Sequence, residues 1–204
     1  MKIKALLFDL GNVLIDCKPE IFITSLEERT RIPKEQLARY FLTSYVDSAY
    51  TEGKISSDKF FDVVRRDLNL AFHPSEFREI WCSIFEAKDE MERLVSRLKE
   101  SYPVWILSNT NEWHFDFLKA RYPVLNLVDR FFLSYKIRCQ KPDPKIYEHV
   151  VREVGLKPEE IFFTDDIEVN VSSAKQAGLN AVLFQSAQTL TEELRALGVL
   201  NHEK

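Results

Sequence analysis

The sequence is poor in cysteine and in long apolar runs. Its three cysteines, Cys17, Cys82 and Cys139, are odd in number and share no metal-type spacing. A disulfide scaffold is therefore disfavoured, and we expect small buried thiols in a reducing compartment. No segment approaches the length of a membrane span, and the continuous apolar run before Asp9 is only four residues long, too short for a signal-peptide core. These absences predict a cytoplasmic protein with no membrane partner.

The chain also lacks an excess of positive charge. It carries 28 Lys and Arg residues against 32 Asp and Glu residues, a net charge of −4, with no basic stripe or basic tail. A nucleic acid partner is therefore not expected. The four histidines share no motif, and we assign them no catalytic role. What the chain does have is 204 residues with 45% hydrophobic content, enough for one large domain or for a domain with a smaller insert.

Short apolar runs alternate with helical patterns over the second half of the chain. Strands are predicted at residues 5–8, 104–107, 131–133, 161–163 and 181–184, and helices at 91–100, 113–120, from Pro144 onward and at 169–177. This alternation predicts an α/β fold with a doubly wound, parallel, Rossmann-like sheet.

After the first strand, apolar residues recur at helical spacing for about eighty residues. Helices are predicted to begin at Pro19, at Pro33, after Ser56-Ser57 and after Pro74. We therefore interpret this block as a separate helical unit, inserted between the first strand of the sheet and the rest. The aromatic residues of this block, which we expect to form its core rather than a binding surface, are Tyr40, Phe41, Tyr45, Tyr50, Phe60, Phe61, Trp81 and Phe85.

Polar residues follow three of the predicted strands. Asp9 ends the first apolar run, Ser108 follows the second strand, and the pair Asp165 and Asp166 follows the fourth. Because the carboxyl ends of parallel strands meet at one edge of a sheet, we expect these residues to share a site, with Lys141 from a nearby loop. Each type also has a structural explanation: turns and helix caps for Asp9 and Ser108, a solvated surface for Lys141, and a helix N-terminus for the aspartate pair.

Taken together, these motifs resemble those of the haloacid dehalogenase-like hydrolase superfamily over essentially the whole chain. The matching segments are Phe8-Asp9-Leu10-Gly11-Asn12-Val13, Leu107-Ser108-Asn109-Thr110-Asn111, Lys141-Pro142-Asp143-Pro144 and Asp165-Asp166 followed by Asn170. The resemblance implies that Asp9 is the nucleophile, that Ser108 is the phosphate-binding hydroxyl, and that Lys141 is the family's lysine. It also implies that residues 16–88 form a four-helix cap domain, inserted into a core domain made of residues 1–15 and 89–204.

The residue types suit phosphoryl transfer from a small phosphorylated metabolite. An ionised carboxylate can attack phosphorus directly once a cation shields it from the anionic substrate. Asp9, Asp166 and the backbone carbonyl of Gly11 would supply oxygen ligands for Mg²⁺, with Asp165 next to the metal as a direct or water-mediated partner. An aspartyl-phosphate would form and would then be hydrolysed by water.

The phosphate itself would be held by groups at the ends of other strands. The Ser108 hydroxyl and the backbone amide of Asn109 would bind two phosphoryl oxygens, while Lys141 neutralises charge on the same group and on Asp9. We expect residues 16–21 and 43–50 of the cap to reach over Asp9 and to contact the leaving group.

One position departs from the pattern of the family's phosphatases. These enzymes usually carry a second aspartate two positions after the nucleophile, and here that position is Gly11. Positioned proton transfer typically contributes ~10²- to 10⁴-fold, so its loss favours an activated phosphoester such as a sugar 1-phosphate. The segment resembles the glucose-1-phosphatase-like branch, which shares this glycine. A metal-bound water, a substrate hydroxyl or Asp16 would then transfer the proton, although Asp16 is equally typical of a helix N-cap.

Two other functions stay open on the sequence. Dehalogenases of the family also lack the second aspartate, but they attack carbon and need no metal, whereas Asp165-Asp166 favours Mg²⁺ and phosphoryl transfer. A protein that binds a phosphorylated ligand with little turnover is the other alternative, and Gly11 is the motif-level feature that favours it.

Overall fold

A sheet of five parallel strands forms the centre of the structure, a computed structural model that describes residues 2–200. The strands are β1 (Ala5–Phe8), β4 (Val104–Ser108), β5 (Arg130–Leu133), β6 (Ile161–Asp165) and β7 (Asn180–Leu183). Their spatial order is β5-β4-β1-β6-β7. β1 lies in the middle because all of its residues are apolar and are fully buried between β4 and β6.

Helices cover both faces of this sheet. Leu6 and Phe8 of β1 pack against α6 (Asp89–Lys99) and α11 (Ala187–Ala196). The alternate residues of the strand, Ala5 and Leu7, face α9 (Pro144–Val154) and α10 (Glu168–Gln176), as the two-residue period of a strand requires. The helices α7 (Glu112–Arg121) and α8 (Ser134–Ile137) follow β4 and β5. The predicted α/β fold with a doubly wound parallel sheet is confirmed.

Five helices lie between two short strands that follow β1. β2 (Ile15–Cys17) pairs antiparallel with β3 (Phe85–Ala87). The helices between them, here called the helical insertion (residues 19–82), are α1 (Pro19–Thr30), α2 (Lys34–Thr43), α3 (Tyr45–Thr51), α4 (Ser57–Asp67) and α5 (Pro74–Cys82). The insertion has an aromatic core, which it shares with Trp113 of α7. In this core Phe22 contacts Trp81 and Phe77 edge to face, with ring centroids 4.8 and 5.8 Å apart.

The structure differs from the sequence prediction mainly in short elements. Within the described residues the insertion contains five helices rather than four, because α3, only seven residues long, is too short to show an apolar period. β2 and β3, three residues each, were missed for the same reason. Tyr45 was expected in the core but is 68% exposed. None of the helices in residues 2–200 combines the length and the apolar character that crossing a bilayer demands.

Candidate active site

The carboxyl ends of β1, β4 and β6 bring together side chains that are distant in the sequence. Asp9 follows β1 directly, and its backbone N–H donates to the carbonyl of Thr164 in β6 at 2.9 Å. Ser108 is the last residue of β4, and Asp165 is the last residue of β6. All three site residues are buried, with 8%, 3% and 0% of the surface of Asp9, Ser108 and Asp165 exposed. The structure therefore places these residues at one edge of the sheet. They lie close together because β4, β1 and β6 are neighbouring parallel strands.

Lys141 brings a buried positive charge into this cluster. Its Nζ donates to Asp9 Oδ1 at 2.6 Å, to Asp165 Oδ2 at 2.5 Å and to the carbonyl of Leu107 at 2.9 Å. The Lys141 side chain is only 1% exposed, so water does not compete for these bonds. Burial opposes its charge, but the carboxylates of Asp9 and Asp165 outweigh burial and raise the pKa of Lys141. Lys141 is therefore a buried cation rather than a solvated surface residue.

The side chain of Asn109 fixes the backbone from which Lys141 projects. Its Nδ2 donates to the carbonyl of Lys141, and its Oδ1 accepts from the N–H of Lys141, both at 2.8 Å. Sequence reasoning considered only the backbone amide of Asn109 as a phosphate ligand. The structure adds this second role, which couples the end of β4 to the lysine loop.

Asp165 is held by partners on every side. Besides Lys141, it accepts from Asn170 Nδ2 at 3.0 and 3.1 Å and from the backbone N–H of Ile167 at 2.9 Å. A fully buried carboxylate needs such partners, because burying an unpaired charge costs several kcal/mol. This cost is on the order of the whole free energy of unfolding of a protein. Asp165 thus positions Lys141 and the start of α10.

Asp166, the next residue, is more exposed and has a different partner. Asn12 Nδ2 donates to Asp166 Oδ2 at 3.1 Å, and Asn12 Oδ1 accepts from the N–H of Cys17 at 3.0 Å. Asn12 has a left-handed backbone, with φ of 55°, a conformation that asparagine tolerates better than most residues. Sequence reasoning gave Asn12 no function, although an asparagine next to a turn glycine is the signal that could have identified it.

The donor set of the site fits a divalent cation. Asp9, Asp165 and Asp166 each present a carboxylate oxygen, and these atoms lie within 4.8 Å of one another. Burial raises the pKa of Asp9 to about 6; Lys141 opposes this rise, whereas Asp165 adds to it. Three carboxylates therefore face one ammonium, which leaves an excess of negative charge in a poorly solvated place. A hard cation such as Mg²⁺ prefers oxygen ligands of this kind.

Gly11 lies beside this cluster and leaves room for a side chain. A Cβ at position 11 would meet only the Cβ of Cys17, at 3.9 Å, which is ordinary van der Waals contact. The conformation of Gly11 does not demand a glycine, because its φ lies outside the left-handed region. The family's second aspartate is therefore absent without a steric reason.

A cavity of about 270 Å³ adjoins the site and lies between the helical insertion and the end of β4. Asn109 and Thr110, which follow β4, line it on the side of the sheet. Cys17 and Asp47 are among the residues that line it on the side of the helical insertion. This volume is near the lower end of the roughly 300–1,000 Å³ that small-molecule sites occupy. The cavity can therefore hold a small organic group next to the phosphate-binding end of the sheet. Its remaining lining residues are Pro19, Phe22, Ile23, Phe41, Thr51, Trp81, Ile84, Asn111 and His114.

The ionisable side chains near this cavity are mostly uncharged. Burial, with the carboxylates of Glu20 and Asp9 adding to it, raises the pKa of Cys17 to about 11, so the thiol stays protonated at neutral pH. Burial lowers the pKa of His114 to about 4, and the neutral ring forms a hydrogen bond with the carbonyl of Trp81 at 3.0 Å. Neither residue is set up as a nucleophile or as a cationic phosphate ligand.

Asp16 does not cap a helix, contrary to one of the two interpretations of the sequence. It lies in β2, and the N-cap of α1 is Lys18. Its carboxylate pairs with Lys88 Nζ at 2.9 Å, and the same ammonium donates to the carbonyl of Asn12 at 2.5 Å. Asp16 therefore joins the two chain segments that lead into and out of the insertion.

Comparison with known proteins agrees with this arrangement. A family model of haloacid dehalogenase-like hydrolases matches residues 3–178. D-ribitol-5-phosphate phosphatase of Bacteroides thetaiotaomicron is 26% identical over 96% of this chain and 98% of its own length. Glyceraldehyde 3-phosphate phosphatase of Pyrococcus furiosus is 25% identical over 90% of this chain and 81% of its own. The HAD family enzyme BT-2542 of B. thetaiotaomicron, in complex with magnesium and inorganic phosphate, superimposes with a TM-score of 0.83 at 27% identity and covers 90% of this chain and 94% of its own.

The Rossmann-like fold and the carboxylate cluster at the ends of its parallel strands thus define a hydrolase. The chain belongs to the haloacid dehalogenase-like hydrolase family, and the two relatives described above are phosphatases by name. The resemblance to the glucose-1-phosphatase-like branch stays a prediction.

Proposed function

We propose that this protein is a Mg²⁺-dependent phosphatase that hydrolyses a small phosphorylated metabolite, such as a sugar or polyol phosphate, through a phosphorylated Asp9. The observation that carries this proposal is the buried Lys141 ammonium between Asp9 and Asp165, with Asp166 completing a set of three carboxylates. The names of the two phosphatase relatives support the substrate class. The magnesium and phosphate complex of BT-2542 supports the cofactor.

In the proposed reaction, the Asp9 carboxylate attacks phosphorus. An oxygen–phosphorus bond forms, the bond from phosphorus to the leaving oxygen breaks, and that oxygen takes up a proton. Water then attacks the phosphorus of the acyl phosphate, which releases inorganic phosphate and returns the carboxylate of Asp9. Lys141, 2.6 Å from Asp9, would neutralise charge that builds up on the transferred group, while Ser108 and the amide of Asn109 would bind its oxygens.

Asp9, Asp166 and the carbonyl of Gly11 are the proposed Mg²⁺ ligands, with Asp165 next to the metal. The cation, when bound, would shield Asp9 from the negative charge of the phosphoryl group. The hydrogen bond from Asn12 would orient Asp166 for this role, and the bonds from Asn170 would keep Asp165 against Lys141.

We further propose that residues 16–88 act as a cap over a core made of residues 1–15 and 89–204. The aromatic residues that the five helices of the insertion bury together, and the cavity between the insertion and Asn109, support this division. Side chains of the insertion would then contact the leaving group and exclude water from Asp9.

Hydrolysis of p-nitrophenyl phosphate in the presence of Mg²⁺ tests the function. We expect turnover by the wild type and only background turnover by Asp9→Asn, which lacks the nucleophile. Asp58→Asn, an exposed acid-to-amide change on α4, is the matched control and should keep wild-type activity. Undiminished turnover by a folded Asp9→Asn variant would rule out the covalent mechanism.

Two further assays distinguish the phosphatase from the alternative functions. If the wild type hydrolyses no phosphoester in a broad panel but binds phosphorylated compounds, it is a binding protein. Release of halide from a 2-haloacid in the presence of EDTA would instead identify a dehalogenase. The three adjacent carboxylates favour the phosphatase, because attack on carbon has no need of a cation site.

A further inference from the structure

Asp47 stands out among the residues that line the cavity. It lies in the first turn of α3, one helical turn before Thr51, which lines the same cavity. On the opposite side the cavity is lined by Asn109, which follows Ser108 at the end of β4. A group bound here would therefore sit between the proposed phosphate ligands and the carboxylate of Asp47.

The Asp47 carboxylate has no partner in the described part of the chain. Within residues 2–200, no hydrogen bond or ion pair reaches it. It does not complete a capping box with Ser44, because the backbone N–H of Ser44 already donates to the carbonyl of Tyr40 at 2.8 Å. Burial alone raises the pKa of Asp47 to about 6. Partly buried polar groups without partners call for an explanation, and a ligand is one.

Contacts with the core hold α3 in this position. Ser134 Oγ donates to the carbonyl of Thr51 at 2.7 Å. Gln140 Nε2 donates to Glu52 Oε1 at 2.9 Å and to Ser48 Oγ at 3.3 Å, and Gln140 immediately precedes Lys141. Hydrogen bonds to the core therefore fix the location of Asp47 relative to the end of β4.

The rest of the cavity wall is uncharged. Phe22, Phe41 and Trp81 contribute aromatic surface. His114 is neutral and the thiol of Cys17 is protonated, as described above. Within residues 2–200, a group in this cavity therefore meets one negative charge and no positive charge.

We propose that Asp47 is a specificity-determining residue that accepts hydrogen bonds from a neutral, hydroxyl-bearing leaving group and repels a leaving group that carries a second negative charge. This inference rests on the proposed phosphatase function. It assigns to the site phosphomonoesters of small polyols and sugars, and it excludes phosphorylated carboxylic acids and bisphosphates. The apolar walls suit the C–H faces of such a leaving group, and the small volume excludes larger ones.

A matched pair of substrates tests the proposal on the wild type. Glycerol 3-phosphate and 3-phosphoglycerate differ only in the replacement of a CH₂OH group by a carboxylate. With Mg²⁺ present, we expect kcat/KM to be about 10- to 100-fold higher for glycerol 3-phosphate, the range of a hydrogen bond to a charged group. Equal values, or a preference for 3-phosphoglycerate, would overturn the inference while leaving the phosphatase function intact. If neither compound nor p-nitrophenyl phosphate is hydrolysed, it is the phosphatase function that fails.

The variant Asp47→Asn tests whether Asp47 causes the preference for glycerol 3-phosphate. We expect the ratio of kcat/KM values to fall at least severalfold, through a higher KM for glycerol 3-phosphate and a lower KM for 3-phosphoglycerate. Glu79→Gln, an exposed acid-to-amide change on α5, is the control and should keep the ratio. If Asp47→Asn does not fold, Asp47→Ser tests the same ratio with a smaller neutral side chain.

Thermal unfolding distinguishes this role from a structural one. Because burial disfavours the charged carboxylate, the melting temperature of Asp47→Asn should equal or exceed that of the wild type at pH 7.5. A lower melting temperature together with an unchanged substrate ratio would show that Asp47 only stabilises α3, and the inference would be wrong.

Discussion

Two adjacent aspartates in this protein differ in environment, although the sequence presents them as a pair. Asp165 ends a strand, is fully buried and is bound by Lys141 and Asn170. Asp166 lies beyond the strand and receives a hydrogen bond from Asn12. Although they are neighbours in the sequence, Asp165 binds the lysine, whereas Asp166 does not and is proposed to bind a cation.

Replacing Lys141 should expose the charge imbalance of the site. In Lys141→Met, the buried carboxylates of Asp9 and Asp165 lose their cation, and breaking such a buried pair typically costs about 3–5 kcal/mol. We expect a loss of that order in the free energy of unfolding, measured by urea denaturation at pH 8 with EDTA. The loss should be smaller at pH 5, because the raised pKa of Asp9, about 6, lets this carboxyl take up a proton.

Lys145→Met, at an exposed position a few residues along the chain, is the control for that experiment and should change stability little. Equal losses for Lys141→Met at both pH values would mean that the cost comes from packing and not from unpaired charge.

Gly11→Asp tests whether this chain lacks a proton donor. Position 11 accommodates a Cβ without strain, so the variant should fold. If no other group transfers the proton efficiently, the added carboxyl should raise kcat for a simple alkyl phosphate by up to ~10²-fold, and much less for p-nitrophenyl phosphate, whose leaving group is good.

Gly11→Asn has the same shape but no titratable proton, and it should not show the gain. A folded Gly11→Asp with unchanged kcat on the alkyl phosphate would indicate that the wild type already has a proton donor.

At the scale of elements, the short helix α3 matters more than its length suggests. It provides Asp47 and Thr51 to the cavity and is joined to the core through Ser134 and Gln140. Its seven residues follow α2 with one residue between them, so no periodicity separates it from its neighbour in the sequence. Its position comes from contacts with residues that lie far away along the chain.

Gly53→Ala should disturb the junction between α3 and the core. A Cβ at Gly53 would lie 2.0 Å from the carbonyl oxygen of Tyr135, and the backbone φ of +67° is in the left-handed region. We expect a loss of about 2 kcal/mol or more in the free energy of unfolding, together with a higher KM for phosphomonoesters, because α3 must shift.

Gly155→Ala provides a matched control, since its φ is +66° and a Cβ there would meet nothing within 4 Å. This control should lower the free energy of unfolding by only about 1 kcal/mol, because alanine disfavours the left-handed backbone conformation. If the two variants lose the same stability, the contact with Tyr135 does not limit the position of α3.

At the scale of the whole molecule, metal binding and folding should be coupled through Asp9. Its pKa of about 6 exceeds the unfolded value of 3.8, so the folded state holds this proton more tightly. The stabilising contribution of Asp9 in the metal-free protein is therefore complete below pH 3.8 and is lost as the pH rises through 6. A cation that binds the ionised carboxylates restores stability at neutral pH, by about 2.7 kcal/mol at 100 times its Kd.

We therefore expect Mg²⁺ to raise the melting temperature more at pH 7.5 than at pH 5, and EDTA to abolish turnover until excess Mg²⁺ is added. Asp166→Asn should lose most of the Mg²⁺-dependent shift. Turnover that is insensitive to EDTA, with a shift that is the same in Asp166→Asn, would contradict the proposed metal site and would favour the dehalogenase alternative.

Much of this protein can be predicted from its sequence, because the relevant signals are local. Alternating apolar runs and helical periods determine the parallel sheet, and polar residues at the ends of apolar runs point to Asp9, Ser108 and Asp165. The buried strands β1, β4 and β6 end at or next to a polar side chain, so the motif and the end of the strand coincide.

The tertiary structure decided what depends on partners far along the chain. Asn12 and Asp166 are 154 positions apart, and only their contact assigns the asparagine a function. Asp16, which pairs with Lys88, and Asp47, which has no partner within residues 2–200, look alike in the sequence and differ only in what surrounds them. Burial and unpaired charge are properties of the packed chain. For that reason the candidate site could be predicted from the sequence, whereas the proposed selectivity of its cavity required the structure.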